Sequence, residues 1–143
     1  MTEITIDKLE FVRLRIPSLI PLDLIEAVKG RNFTPEAFIK SQEEQIDNPH
    51  NFLFALIDTD SKIQGYLWVV KEPLDDSLYI NTFSIKKEYW GKGKGIELAT
   101  EFLDGLVKKM KPSKVLWATT NERFFLKKGF KKSKISLMEY NPN

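Results

Sequence analysis

The stretch Phe83-Ser84-Ile85-Lys86-Lys87-Glu88-Tyr89-Trp90-Gly91-Lys92-Gly93-Lys94-Gly95-Ile96 decides how the rest of the chain is read. It begins as a β-rich run, passes through glycines at alternate positions and enters the most regular amphipathic helix of the sequence. In that helix Ile96, Ala99, Phe102, Leu103, Leu106, Val107 and Met110 recur at intervals of three and four, which draws one apolar stripe, and Pro112 closes it. Alternate glycines let a backbone approach a ligand closely, and their N–H groups converge with the first free amides of the helix on one point. That point suits an anion. The helix macrodipole adds favourable potential there, and Lys92 and Lys94 bring full charges to its rim. A tight turn without a ligand would share this composition. Two common phosphate loops do not fit: no hydroxyl residue follows Lys94 as a P-loop requires, and Pro112 and Ser113 stand where a dinucleotide fingerprint needs an acidic residue.

Working outward, residues 9–16 alternate around Val12, Leu14 and Ile16 and read as a strand ended by Pro17. Residues 22–29 read as a helix with Gly30 as its stop, and Thr34 offers an N-cap, with Pro35 at the first helical position, for a second helix reaching Ile46. Two β-rich runs, 52–58 and 63–70, flank Thr59-Asp60-Ser61-Lys62 and form a hairpin; a further strand covers 78–85. After the long helix come a short strand at 114–119, a short helix at 121–128 stopped by Gly129, and a last strand at 136–140. The order β-α-α-β-β-β-α-β-α-β predicts a mixed, mostly antiparallel α/β sheet with helices on both faces.

The 143 residues are expected to form one domain, with 42% hydrophobic and 29% charged residues. The absence of cysteine removes disulfides, thiolate metal sites and a cysteine nucleophile, and the single histidine, His50, cannot build a multi-histidine metal site. No apolar stretch approaches the roughly 18 to 20 residues of a membrane span, so a cytoplasmic location without membrane contact is expected. Charge is lopsided. Residues 1–76 carry 8 Lys and Arg against 14 Asp and Glu, net −6, whereas residues 77–143 carry 14 against 6, net +8. The second half therefore suits an anionic partner and the first a cationic one.

The glycine stretch resembles the signature of the GNAT family of N-acetyltransferases, Arg/Gln-x-x-Gly-x-Gly/Ala between a fourth strand and a third helix. Gly93 and Gly95 match its two small residues, Gly91 a frequent extra glycine, and Trp90 falls where Arg or Gln is usual. The early helices, the hairpin with Gly65, and the segment from Asn121 to Gly129-Phe130 extend the resemblance over most of the chain. It implies acetyl-CoA or a related acyl-CoA as co-substrate and no metal, with the pyrophosphate on amides from Gly91 to Ile96. It also implies that the pantetheine arm pairs with the backbone of Phe83, Ser84 and Ile85 like an added strand. Lys92, Lys94 and Lys127 become candidates for the outer phosphates, and Asn121 and Phe125 for further contacts to the cofactor.

The same resemblance implies direct acyl transfer to an amine, with a backbone N–H at a bulge of the fourth strand stabilising the oxyanion and a tyrosine protonating the departing thiolate. The chain departs from this pattern. Phe125, or Phe124 if the alignment slips, takes the place of the tyrosine, and neither has a hydroxyl. Asn81 and Thr82 stand where a glutamate base is frequent; Asn81 is the one weak catalytic candidate, able to orient a water. Glu72, Asp75 and Asp76 are placed to line an acceptor cleft or to be solvated loop charges. Acidic residues on the early helices, Glu26, Glu36, Glu43, Glu44 and Asp47, favour a cationic amine acceptor, small molecule or protein. Two other readings stay open: a weak or silent acyl-CoA-binding module, and a nucleic-acid binder using Lys127, Lys128, Lys131, Lys132 and Lys134 with Phe124, Phe125 and Phe130. The sequence is compatible with a homodimer.

Overall fold

The computed structural model of the chain describes residues 9–26, 33–89, 94–117, 122–134, 138 and 140–142. Five strands form one sheet in the order β1-β2-β3-β4-β5, namely β1 (Glu10–Arg13), β2 (Asn51–Ile57), β3 (Ile63–Glu72), β4 (Ser77–Ile85) and β5 (Lys114–Trp117). The first four pair antiparallel in sequence order, and β5 joins β4 in parallel. A parallel neighbour needs a long crossover, supplied here by helix α3 (Lys94–Met110). The helices α1 (Leu22–Glu26), α2 (Pro35–Glu44) and α4 (Glu122–Lys127) complete the architecture.

Local chemistry explains the boundaries. Thr34 caps α2, its Oγ1 accepting from the Ala37 amide at 3.1 Å, with Pro35 at the first helical position. α2 ends at Glu44, short of the expected Ile46, and the chain turns through 45–47. β1 is shorter than expected because the chain bends at Arg15 and Pro17 opens a 3-10 turn. In the β2–β3 hairpin the Asp58 carboxylate accepts from the amides of Asp60 (2.8 Å) and Lys62 (3.0 Å) and from Gln64 Nε2 (2.8 Å). These bonds hold its carboxyl below the usual carboxylate range, the Lys62 amide contributing most. α3 stops where Lys111 turns left-handed (φ 50°) before Pro112. α4 stops at Gly129 (φ 93°), and the Phe130 amide returns to the Phe125 carbonyl at 3.0 Å. The expected strand at 136–140 lies for the most part outside the described residues, as do residues 27–30 of the first helix and its stop and residues 118–119 of β5.

The sheet is buried on both faces. Towards α1 and α2 it presents Leu53, Ala55 and Tyr66 to Ile20, Leu24, Ile25 and Phe38. Towards α3 it presents Phe54, Leu67, Val69, Leu78 and Ile80 to Leu103, with Phe102, Leu106 and Met110 beside it. Each fully buried Leu or Ile contributes about 1.5 to 3 kcal/mol of transfer free energy, so these two layers fix the position of β4 from both sides.

Candidate functional site

β4 changes character halfway along. Its alternation carries Leu78 and Ile80 on the α3 face, and if it continued unbroken the next residue on that face would be Thr82. Instead the register with β3 steps from Val69↔Ile80 to Trp68↔Thr82, leaving Asn81 without a partner. This one-residue bulge flips the phase. Phe83 then packs with the α3-side cluster, while Ser84 points to the other face, where its Oγ donates to the Leu24 carbonyl at 2.7 Å. Thr82, almost fully buried, donates weakly to Asn81 Oδ1 at 3.4 Å.

The described pairing with β5 reaches the same place. Ser77 to Ile80 face Lys114 to Trp117, and residues 81–85 have no strand partner on that side among the described residues. Among the described residues, backbone groups of this half that point away from β3 meet no strand. α3 begins directly against them. A Cβ built on Gly95 would lie 2.7 Å from Ile85 Cδ1 and 3.8 Å from Phe83 Cζ, so a glycine is what lets the first turn of the helix approach this half-strand. The 17-residue α3 therefore brings its unpaired first-turn amides and the positive end of its dipole to the open half of β4.

An aromatic column closes one side of the gap. The ring of Phe83 meets Trp117 edge-on at 6.2 Å, Trp117 meets Phe125 at 4.7 Å, and Phe125 meets Phe130 at 5.1 Å. Trp117 is the last described residue of β5 and pairs with Ile80, so the column stands beside the bulge of β4. Phe125 is 5% exposed and offers a ring to this wall, with no proton to give.

The structure therefore brings together Phe83, Ser84, Ile85, Gly95, Ile96 and Phe125 from among the expected cofactor contacts, and sets Asn81 at the bulge beside them. Trp90, Gly91, Lys92, Gly93 and Asn121 lie outside the described residues, as do the side chains of Lys94 and Phe124. Of the two readings of Glu72, Asp75 and Asp76, the structure fits loop charges: they sit at the opposite end of β4, where Glu72 accepts from the Leu74 amide (3.0 Å) and Asp76 pairs with Lys71 (3.1 Å). Asp75 accepts from the Ser77 hydroxyl (2.7 Å) and amide (3.1 Å), which hold its carboxyl below the usual range. Ser113 ties the same turn to the start of β5, its hydroxyl donating to the Asp75 carbonyl at 2.6 Å.

Sequence reasoning missed a polar chain on the α1/α2 face. Trp68 Nε1 donates to Asn51 Oδ1 at 2.7 Å, and Asn51 Nδ2 donates to Gln42 Oε1 at 2.9 Å. No local sequence signal links Gln42, Asn51 and Trp68, which belong to three different elements. Among the described residues no helix is long and apolar enough to cross a membrane. The basic tail segment is exposed at Lys127, Lys128, Lys131, Lys132 and Lys134, but Phe125 and Phe130 are packed against each other and are not offered to bases.

With this geometry established, known proteins give the same picture. Residues 22–130 match the model of the Acetyltransferase (GNAT) family. Among solved structures, the chain is similar to a possible acetyltransferase from Clostridium difficile 630 (TM-score 0.72, 13% identity, 93% of this chain and 97% of that one). It is also similar to glucosamine-6-phosphate N-acetyltransferase from Arabidopsis thaliana (0.64, 22%, 92% and 97%). A third likeness is to a GNAT family acetyltransferase from Staphylococcus aureus (0.68, 16%, 94% and 99%). At these identities the structures share the fold. No curated protein matches the chain by sequence.

Proposed function

Because the chain belongs to the acetyltransferase (GNAT) family, we propose that it moves an acetyl group from acetyl-CoA to a primary amine by direct transfer. Acyl transfer in general follows from the family. The observation that carries the finer reading is the coincidence, within one strand, of the bulge at Asn81, a half that has no β5 partner among the described residues and the approach of the α3 N-terminus at Gly95. A pantetheine arm has amides and carbonyls to pair with residues 83–85, and a pyrophosphate is suited to the first-turn amides of α3. The residues fit such a cofactor. Acetyl-CoA supplies an activated thioester carbonyl.

The protein's share is placement and polarisation. Peptide groups around Asn81 stand outside the ladder and suit an N–H donor at the carbonyl oxygen, and positioning two reactants is among the largest contributions available to any enzyme. The amine nitrogen forms its bond to the carbonyl carbon, the C–S bond breaks, its electron pair leaves with sulfur, and the proton on nitrogen passes to water. With Phe125 in place of a hydroxyl donor, the thiolate departs unprotonated, which a thiol of pKa near 8.5 permits. General acid assistance is typically worth about 10²- to 10⁴-fold, so a slower enzyme is expected.

The same absence of a hydroxyl at Phe125, with no carboxylate on residues 81–85, favours a second reading, a silent acyl-CoA-binding module. Thioester consumption measured with a panel of polyamines, aminoglycosides and lysine peptides separates the two. Amine-dependent release of CoA supports transfer, and tight acetyl-CoA binding without release under every amine supports the module.

A further inference from the structure

We infer that Trp68 is a specificity-determining residue, the wall of the acceptor side, and that it selects an amine carrying a second positive charge; this rests on the N-acetyltransferase reading above. Trp68 lies on the α1/α2 face of β3, directly opposite Thr82 and beside the bulge. It is half-buried: Phe38 meets it edge-on at 5.5 Å, and part of the indole stays accessible. The ring cannot turn freely. An indole N–H only donates, so Asn51 must present Oδ1 to it and Nδ2 to Gln42 Oε1. That direction leaves the fully buried Gln42 with Nε2 unpartnered. An unmet buried donor costs stability. The chain tolerates this cost in a network whose visible effect is to hold one indole beside the point where β4 opens.

An indole, held here in one orientation and partly exposed, attracts cations more strongly than any other side-chain ring. The helices covering this face add exposed negative charge at Asp23 and Glu26 of α1 and Glu36, Glu43 and Glu44 of α2. One ammonium of the acceptor rests on the indole while a second amine of the same molecule, deprotonated to water, meets the thioester.

The test compares the natural chain with Trp68→Ala, Trp68→Phe and Asn51→Leu on 1,5-diaminopentane and pentylamine, probes of equal length that differ by one ammonium. Trp68→Ala is expected to raise the KM for the diamine about tenfold more than the KM for pentylamine, with the acetyl-CoA KM within about twofold. Trp68→Phe keeps a ring face and recovers most of the loss. Asn51→Leu frees the ring and gives a smaller rise in the same direction. An equal rise for both amines, or none, overturns the assignment. If neither amine is turned over, calorimetric binding of 1,5-diaminopentane to the CoA complex reads the same question: weakening by Trp68→Ala supports it, and no binding or unchanged affinity overturns it. Titration of acetyl-CoA into the natural chain is the separate control. Failure there sinks the transferase reading, whereas acetyl-CoA binding with no amine selectivity sinks only the role of Trp68.

Discussion

The two halves of β4 share one strand and differ in what surrounds them. Residues 77–80 are paired on both sides and hold Leu78 and Ile80 with no exposed surface. Among the described residues, 81–85 are paired to β3 alone, begin with a bulge, and face the start of a helix where the first half faces a strand. The closed half is built for stability. The open half keeps its shape only because β3, α1 and α3 hold it, which is how a sheet offers unpaired peptide groups without fraying.

Substitutions along this strand sharpen the contrast. Leu78→Ala in the closed half is expected to cost about 4 kcal/mol, measured by denaturant unfolding, with acetyl-CoA affinity of the folded protein unchanged. Gly65→Ala attacks the one strand that supports the open half, since its Cβ would stand 2.6 Å from the Ser84 carbonyl oxygen. About 2 to 3 kcal/mol and a weakened acetyl-CoA affinity are expected together. Phe83→Ala, which removes the rung that meets Trp117, should cost about 2 kcal/mol and raise the acetyl-CoA Kd about tenfold, read by calorimetry.

The smallest effect is at the far end. Asp75→Asn removes the carboxylate that accepts from Ser77. Because that carboxyl is held below its ordinary value in the folded protein, its contribution is present above about pH 4 and is lost as the pH falls through the folded-state value. A small melting-temperature difference between Asp75→Asn and the natural chain at neutral pH should therefore vanish in acid, while acetyl-CoA affinity at neutral pH is unchanged.

Elements with a strong local signal were legible in the sequence. Thr34-Pro35 announced the start of α2, the stripe from Ile96 to Met110 announced α3, and Asp58 to Lys62 announced a hairpin turn. Their ends were less so, because α2 stops two residues early and β1 is cut short by the bend at Arg15. The open half of β4 was legible through the glycines that follow it and the family resemblance they carry. Asp75 and Asp76 were legible as loop charges, but nothing local says that their turn will be tied to Ser113, 38 residues from Asp75. The Gln42-Asn51-Trp68 chain escaped for the same reason: its members become neighbours only once α2 lies on the sheet.

The central claim is that the open half of β4 and the first turn of α3 together hold an acyl-CoA. Amide chemical-shift mapping during an acetyl-CoA titration tests it most directly. Saturable shifts concentrated at residues 81–85 and 94–97, with residues 77–79 unmoved, are the predicted result. Shifts confined to other parts of the sheet, or none at millimolar acetyl-CoA, would contradict it.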